Sequence, residues 1–333
     1  MRTGKAMNQR TSFSSALLNL SRDALKVSFE LFKIMVPVLI VVKVLQELDL
    51  IKYLAVPLGP VMELVGLPGE MGLVWATAML NNLYSAMIVL ISLVKDNPIT
   101  TAQATVLCTM MLVAHTLPVE LKIAQKSGPR MMFQAFSRLA SAFLLGWLLH
   151  EVYSFFGLLQ RPASIFFEAP PETASHNEAL LPWVVGQAKN LFFIFLIILG
   201  LFLLTRILHK LQIINMMNRI LQPTLKLMGI GPKASVISVI GITMGLSYGG
   251  GLIIHEAKSG QIDKKDVFYS LTLMGLSHSL IEDTILMVAV GGHLSGVLLA
   301  RMLFSFIALS ILVKLSNRLR EGFCDRFLWG EPR

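Results

Sequence analysis

Ionisable side chains interrupt an otherwise apolar stretch at residues 266–290. That stretch is long enough to cross a bilayer, and an ionisable group at such depth costs about 2.5–3.5 kcal/mol on insertion scales. On one continuous helix, His278 and Glu282 would share a face, with Asp283 one position further round. Together these groups are suited to relay a proton, bind a cation or hold a polar solute. The polar members of the stretch are Ser277, His278, Ser279, Glu282 and Asp283.

A weaker copy of this polar segment lies earlier in the chain, at residues 111–120. His115 matches His278 and Glu120 matches Asp283, and both pairs are separated by 163 positions. The same offset relates Lys43 to Arg206, Pro60 to Pro223, Gly66 to Gly229 and Arg138 to Arg301. The chain is therefore a tandem repeat in which each half carries one polar segment.

Arg138 and Arg301 offer a structural interpretation of the same residues. An ionised group inside a membrane needs a partner, so either guanidinium would pair with Glu282 or Asp283 and hold helices together. The sequence leaves the functional and the structural interpretation open.

Two further groups of polar or small residues lie at matching places in the halves. The amide pair of the first group can donate and accept hydrogen bonds to a solute, or join two helices. The glycines of the second group permit either an unwound helix or close helix packing. The first group is Asn81, Asn82, Tyr84 and Ser85, and the second is Ser247, Tyr248, Gly249 and Gly250.

The composition is that of a polytopic membrane protein rather than a soluble one. Of 333 residues, 54% are hydrophobic and 15% charged. The formal charge of +9 is explained by basic cytoplasmic loops rather than by nucleic-acid binding. The two cysteines form neither a disulfide framework nor a metal spacing. We expect no enzyme, no metal and no cofactor, and leave coupling by protons or a monovalent cation open.

The charges of equivalent loops predict that the two halves are inverted. Lys126 and Arg130 follow the polar segment of the first half, whereas Gly291–His293 at the equivalent place carries no Lys or Arg. Conversely, the basic loop around Lys264 matches a charge-balanced turn at 95–98. Because basic loops face the cytoplasm, equivalent loops lie on opposite sides of the membrane.

The sequence thus predicts an all-α membrane protein of two inverted repeats. Each repeat has about three full spans and a helical hairpin, either re-entrant or crossing, formed by 50–66 with 70–94 and by 213–229 with 233–255. The predicted regions are a basic cytoplasmic tail (1–27), repeat 1 (28–158), an acidic extracytoplasmic linker (159–183), repeat 2 (184–317) and a cytoplasmic tail (318–333).

Two motifs of the second half resemble the "nucleoside recognition" or Gate domain, a bacterial membrane module. They are Gly245-Leu-Ser-Tyr-Gly-Gly-Gly251 and Gly275-Leu-Ser-His-Ser-Leu-Ile-Glu-Asp-Thr284. Similar domains occur in concentrative nucleoside transporters, in the membrane part of ferrous-iron transporters and in spore-maturation membrane proteins. The resemblance covers roughly 30–158 and 190–317. It implies re-entrant hairpins followed by partly unwound helices, with a site built from Asn81–Ser85, His115–Glu120, Ser247–Gly251 and His278–Asp283.

The resemblance implies transport of a small polar solute or ion across the bacterial inner membrane. Alternating access between the inverted repeats would carry a nucleoside-like solute or a cation, with His278 and Glu282 or Asp283 coupling protons or a cation. The alternative is a non-transporting scaffold or signalling protein of the spore-maturation type. The expected partners are the lipid bilayer and the solute, with self-association of the chain left open.

Overall fold

The computed structural model describes residues 57–94, 97–166, 184–189, 253–260 and 262–332, with single residues between 25 and 48 and between 191 and 238. Ser247–Gly251, most of the second predicted hairpin and residues 167–183 of the linker lie outside this description. The helices with described bounds are α1 Gly59–Leu64, α2 Met71–Leu80, α3 Leu83–Val94, α4 Thr101–Val113, α5 Leu117–Lys126, α6 Met131–Phe155, α7 Lys264–Ser277, α8 Glu282–Ala289, α9 Arg301–Ser316 and α10 Glu321–Phe327.

The described residues confirm the all-α class. Their β-pairing is limited to one isolated bridge between Thr100 and Pro162. Among the described residues, four stretches are long and apolar enough to cross a membrane, so the chain is a multi-pass membrane protein. They are Thr101–Lys126, Met131–Phe155, Lys264–Ala289 and Ser295–Ser316.

These four stretches divide into an inner and an outer pair. In the apolar 18-residue segments of Thr101–Lys126 and Lys264–Ala289, 78% and 72% of the residues are buried. The share is only 33% in the corresponding segments of Met131–Phe155 and Ser295–Ser316. The outer helix α9 exposes Leu303, Ile307, Ile311 and Leu315, which are four residues apart and share one face. We assign that face to the lipid, and the inner pair therefore forms the centre of the molecule.

Both inner stretches are broken at equivalent positions. Between α4 and α5, Thr116 has φ 49°, and between α7 and α8, Ser279 has φ 46°. Left-handed backbone at a non-glycine residue cannot continue a helix, so each stretch becomes two short helices. The breaks stand 163 residues apart, which supports the repeat. Because the second break begins at His278, the expectation that His278 and Glu282 share one helical face is wrong.

Contacts at the helix ends confirm that the repeats are inverted. At one end, which we call the linker face, Thr101 N–H donates to Arg161 O at 2.8 Å and Phe166 N–H donates to Ala289 O at 2.9 Å. At the other end, the tail face, Arg130 N–H donates to Leu328 O at 2.9 Å. There Lys264 Nζ also lies 3.0 Å from Asp325 Oδ1.

Equivalent helices therefore start on opposite faces. The helix α4 begins at the linker face, whereas α7, its equivalent in the second repeat, begins at the tail face.

The contact at the tail face also has an electrostatic consequence, because the Lys264 ammonium holds the pKa of the Asp325 carboxyl below its usual value.

The first predicted hairpin contains an additional turn. The helices α2 and α3 pack against each other around Asn81 and Asn82, so residues 71–94 form a helical hairpin of their own. The helix α1 also packs against α2, in agreement with the predicted pairing of 50–66 with 70–94, and residues 50–56 lie outside the described part of the chain. Asn82 Oδ1 accepts the Ser85 N–H at 2.9 Å and so caps α3, which favours a turn there. With 10 and 12 residues, each helix spans only about 15–18 Å, short of the roughly 30 Å hydrocarbon core. We therefore describe this hairpin as re-entrant.

Candidate functional site

Each helix break presents a histidine whose ring is fixed by the helix before it. His115 Nδ1 lies 3.0 Å from Met111 O, and His278 Nδ1 lies 2.7 Å from Met274 O. These carbonyls are among the last of α4 and α7, which have no partner within their own helix. A carbonyl only accepts, so Nδ1 carries the proton in both rings. In the neutral ring, Nε2 is then left with a lone pair.

The two breaks meet at the centre of the molecule, and their histidines touch. His115 Nε2 and His278 Nε2 are 3.1 Å apart, with ring centroids separated by 4.8 Å. Glu120 Oε1 lies 3.1 Å from His278 Nε2 and 3.8 Å from His115 Nε2. We call these three residues the His–Glu cluster. All three side chains are buried.

The cluster has the symmetry of the repeat. His278 contacts Glu120, and the equivalent pair, His115 Nε2 and Asp283 Oδ2, lies 3.9 Å apart. A two-fold axis between the repeats brings equivalent residues together, as it does His115 and His278, and it makes every other contact occur twice. Three electron-pair donors thus converge on one point, an arrangement complementary to a cation or a proton.

Arg138 closes the first repeat's half of the site. Its Nη1 donates to Glu120 Oε2, its Nε donates to Val113 O at 2.9 Å, and its Nη2 donates to His115 O at 3.0 Å. The guanidinium therefore neutralises the buried carboxylate and satisfies two carbonyls that the break exposes.

Arg301, the equivalent residue, leaves polar atoms of the other half without hydrogen bonds to described residues. Its Nη2 donates to His278 O at 3.0 Å, which reproduces the bond from Arg138 to His115. Among the described residues, however, its Nε and Nη1 have no hydrogen-bond partner, and neither do Asp283 Oδ2 and Thr284 Oγ1. The aspartate is one methylene shorter than the glutamate at the equivalent position, so it does not reach its arginine. The predicted pairing of Arg138 or Arg301 with Glu282 or Asp283 is not among the described ion pairs.

The polar residues of the first hairpin mostly bond one another. Asn81 Nδ2 donates to Ser85 Oγ at 3.0 Å, and Asn82 Nδ2 donates to Asn81 Oδ1 at 3.2 Å. Tyr84 instead reaches the second repeat, where its hydroxyl donates to Glu282 Oε1 at 3.4 Å. The hairpin is also tied to the first break, because Thr116 N–H donates to Ala78 O at 2.9 Å.

The structure thus brings together part of the predicted site. The two histidines, Glu120 and Asp283 meet directly, Tyr84 bonds Glu282, and Asn81, Asn82 and Ser85 form a separate local network. The predicted residues Ser247, Tyr248, Gly249 and Gly250 lie outside the described part of the chain. The sequence interpretation did not foresee the direct contact between the two histidines, and it overlooked Thr284. That threonine continues the polar run Glu282-Asp283-Thr284, which was the available signal.

Comparisons with known proteins agree with the resemblance seen in the sequence. Residues 28–127 match the family model described as Gate, nucleoside recognition. The chain is 24% identical over 276 residues to the uncharacterized membrane protein YvoD of Bacillus subtilis (strain 168), covering 83% of this chain and 86% of YvoD. No solved structure is detectably similar. Residues 28–127, which contribute His115 and Glu120 to the site, are therefore similar to the Gate domain and lie within a multi-pass membrane protein.

Proposed function

We propose that the protein transports a small polar solute or ion by alternating access between its two inverted repeats. The observation that carries the proposal is the unequal pairing of equivalent groups. Arg138 and Glu120 are paired, whereas Arg301 and Asp283 keep polar atoms without a partner among the described residues.

Arg138 with Glu120 and Arg301 with Asp283 occupy equivalent places around the two histidines. Glu120 lies beyond the first break, on the helix that runs to the tail face, and Arg138 is on the adjoining helix α6. Asp283 and Arg301 hold the equivalent places toward the linker face. In transporters built from inverted repeats, the two halves exchange conformations around a central site. A paired tail side and an unpaired linker side are the arrangement expected of one such state.

A purely structural site would have been expected to satisfy its own polar groups. A buried donor or acceptor without a partner costs about 1–3 kcal/mol, so a scaffold gains nothing from four such atoms. In a transporter the same groups would meet water or solute when the linker side opens. This difference separates the transport proposal from the scaffold alternative without knowledge of the solute.

Chemical labelling tests whether the linker side of the site opens. In a Cys108→Ala/Cys324→Ala background, Thr284→Cys replaces a hydroxyl that has no partner among the described residues. We expect a membrane-impermeant maleimide to label it from the linker face. Thr109→Cys is the matched control, because its hydroxyl is equally buried but donates to Thr105 O at 2.7 Å. Absence of labelling at 284 from both sides of the membrane would favour the scaffold.

Uptake measurements test transport itself. A panel of nucleosides, bases, amino acids and cations is first screened by thermal unfolding, since a ligand at 100 times its Kd stabilises by about 2.7 kcal/mol. Proteoliposomes are then assayed with the ligand found. We expect Asp283→Asn and His278→Ala to reduce uptake at least tenfold, whereas Glu63→Gln, at an exposed carboxylate, leaves it unchanged. Wild-type rates in both site variants would contradict the site assignment.

A further inference from the structure

We propose that the His–Glu cluster is a binding site for a divalent first-row transition-metal ion of the Zn²⁺ type. The ligands would be His115 Nε2, His278 Nε2 and Glu120 Oε1. Asp283 Oδ2, 3.9 Å from His115 Nε2, is placed as a fourth. No spacing in the sequence signals such a site, because its ligands come from two distant segments.

The hydrogen-bond roles of the cluster leave it without a donor. Both Nδ1 atoms donate to main-chain carbonyls, so both Nε2 atoms present lone pairs to each other across 3.1 Å. The carboxylate oxygen that faces them is also an acceptor. Three lone pairs at these distances repel one another unless something positive lies between them.

The separations suit ligands of one small metal ion. Zinc holds nitrogen and oxygen ligands at about 2.0–2.2 Å, so two ligands lie about 2.9 Å apart at a right angle and about 3.4 Å apart at a tetrahedral angle. The observed separations within the cluster are 3.1, 3.1 and 3.8 Å. Two fall inside that range, and the third requires a shift of a few tenths of an ångström.

Each ligand already has the supporting contact that metal sites use. A metal-bound histidine almost always donates its other ring N–H to a carbonyl or carboxylate, which orients the ring. Here Met111 O and Met274 O accept those protons. The second oxygen of Glu120 is held by Arg138, so the carboxylate is oriented as well.

The local charge also favours a cation. Three carboxylates lie in or beside the cluster (Glu120, Glu282 and Asp283), against the two guanidinium groups of Arg138 and Arg301. With neutral histidines and all three carboxylates ionised, the neighbourhood carries a formal charge of −1, and a bound cation would favour that ionised state. Because the groups are buried, that charge is poorly screened by water and attracts a cation.

The donor set selects among cations. Two imidazole nitrogens with a carboxylate suit zinc and its neighbours in the first transition row, whereas Mg²⁺ and Ca²⁺ prefer oxygen ligands. A single proton is the other positive species of suitable size. It bridges one pair of acceptors well, but it leaves the third without a partner, whereas a metal ion satisfies all three.

Metal titration of the purified full-length protein in detergent tests the site. After treatment with a chelator, the protein is titrated with Zn²⁺ by calorimetry and with Co²⁺ by visible absorption, which reports the coordination of the ion. We expect one ion per chain and no comparable binding of Mg²⁺. We expect His115→Gln/His278→Gln to weaken binding at least 100-fold, and Glu120→Gln to weaken it at least tenfold. His150→Ala, which alters a histidine on α6 outside the cluster, should bind as wild type.

Thermal unfolding provides a second readout that does not require the variants to bind. Zn²⁺ should raise the Tm of the wild-type protein and of His150→Ala, and should leave the Tm of the double histidine variant unchanged. A wild-type protein that binds neither metal would overturn the proposal, and so would equal binding by the folded double variant. Either result leaves the transport proposal intact, because the Thr284→Cys labelling involves no metal.

Discussion

At the scale of single residues, the two halves of the site differ by one methylene group in the length of a carboxylate side chain. Glu120 and Asp283 occupy equivalent positions beside equivalent arginines, yet only the glutamate reaches its guanidinium. The repeat therefore keeps its pattern of charges while its two halves differ in pairing. That difference, rather than the presence of the charges, is what supports a transport role.

Removing the two arginines should have unequal effects on stability. Arg138→Met leaves the buried Glu120 carboxylate without its partner, and breaking such a pair costs about 3–5 kcal/mol. Arg301→Met removes one described hydrogen bond, to His278 O, and also relieves two donors that lack a described partner. We expect thermal unfolding in detergent to show a clearly larger loss of Tm at position 138.

The double variant Arg138→Met/Glu120→Gln is the control for this comparison. It also replaces the Glu120 carboxylate, which would otherwise be buried without its partner, and should recover much of the lost stability. Equal losses at positions 138 and 301, without recovery in the double variant, would mean that the described pairing does not stabilise the fold.

At the scale of elements, the two helix breaks position the site. Each break turns a 26-residue apolar stretch into two short helices and exposes the carbonyls that Arg138 and Arg301 bind. Pro118 lies in the first turn of α5, where proline is tolerated, so it follows the break rather than bending a helix interior. The left-handed residues Thr116 and Ser279 are the points at which the chain changes direction.

Glycine substitutions at the breaks should therefore cost little. Thr116→Gly and Ser279→Gly relieve left-handed backbone at a side-chain-bearing residue, which offsets the greater freedom of glycine in the unfolded chain. We expect an unchanged or raised Tm for both variants. Ser310→Gly, inside α9, should instead destabilise by about 1 kcal/mol. If glycine at positions 116 and 279 lowered the Tm as much as glycine at position 310, the result would argue against the broken-helix geometry.

At the scale of the whole molecule, the two faces differ in charge. The tail face gathers basic side chains of both repeats, which predicts that it is cytoplasmic. These residues are Lys126, Arg130, Lys264 and Lys265. The linker face holds the uncharged Gly291–Gly292 turn, where a Cβ added at Gly291 would lie 3.1 Å from Ala163 Cβ and 3.5 Å from Ser164 O.

Cysteines on the two faces test this orientation. We expect Asn317→Cys to react with an impermeant maleimide only in inside-out vesicles, and Ser164→Cys only in right-side-out vesicles. Both positions are exposed, and both native cysteines are buried. Labelling of both new cysteines from one side would contradict the inverted arrangement, and exchanged sides would reverse the orientation while keeping the inversion.

Much of this architecture follows from the sequence alone. The apolar stretches determined a multi-pass all-α protein, and the fixed offset between equivalent residues determined its repeat. The loop charges determined the inversion, because inserted helices keep basic ends on one side of a membrane. The polar segments around His115 and His278 also pointed to the right part of the chain. All of these signals are patterns of residue type along the chain, so they can be recognised without knowing which residues are in contact.

The tertiary structure decided how those patterns meet. Helical periodicity predicted one helix over residues 266–290, with His278 beside Glu282. In the structure the helix breaks, and His278 contacts His115 and Glu120 instead. The turn at Asn81–Asn82 and the unequal reach of Glu120 and Asp283 were likewise invisible to spacing. These features arise from a backbone dihedral, a capping side chain and one methylene, and their effect depends on packing between segments far apart in sequence. Such contacts exist only once the chain has folded.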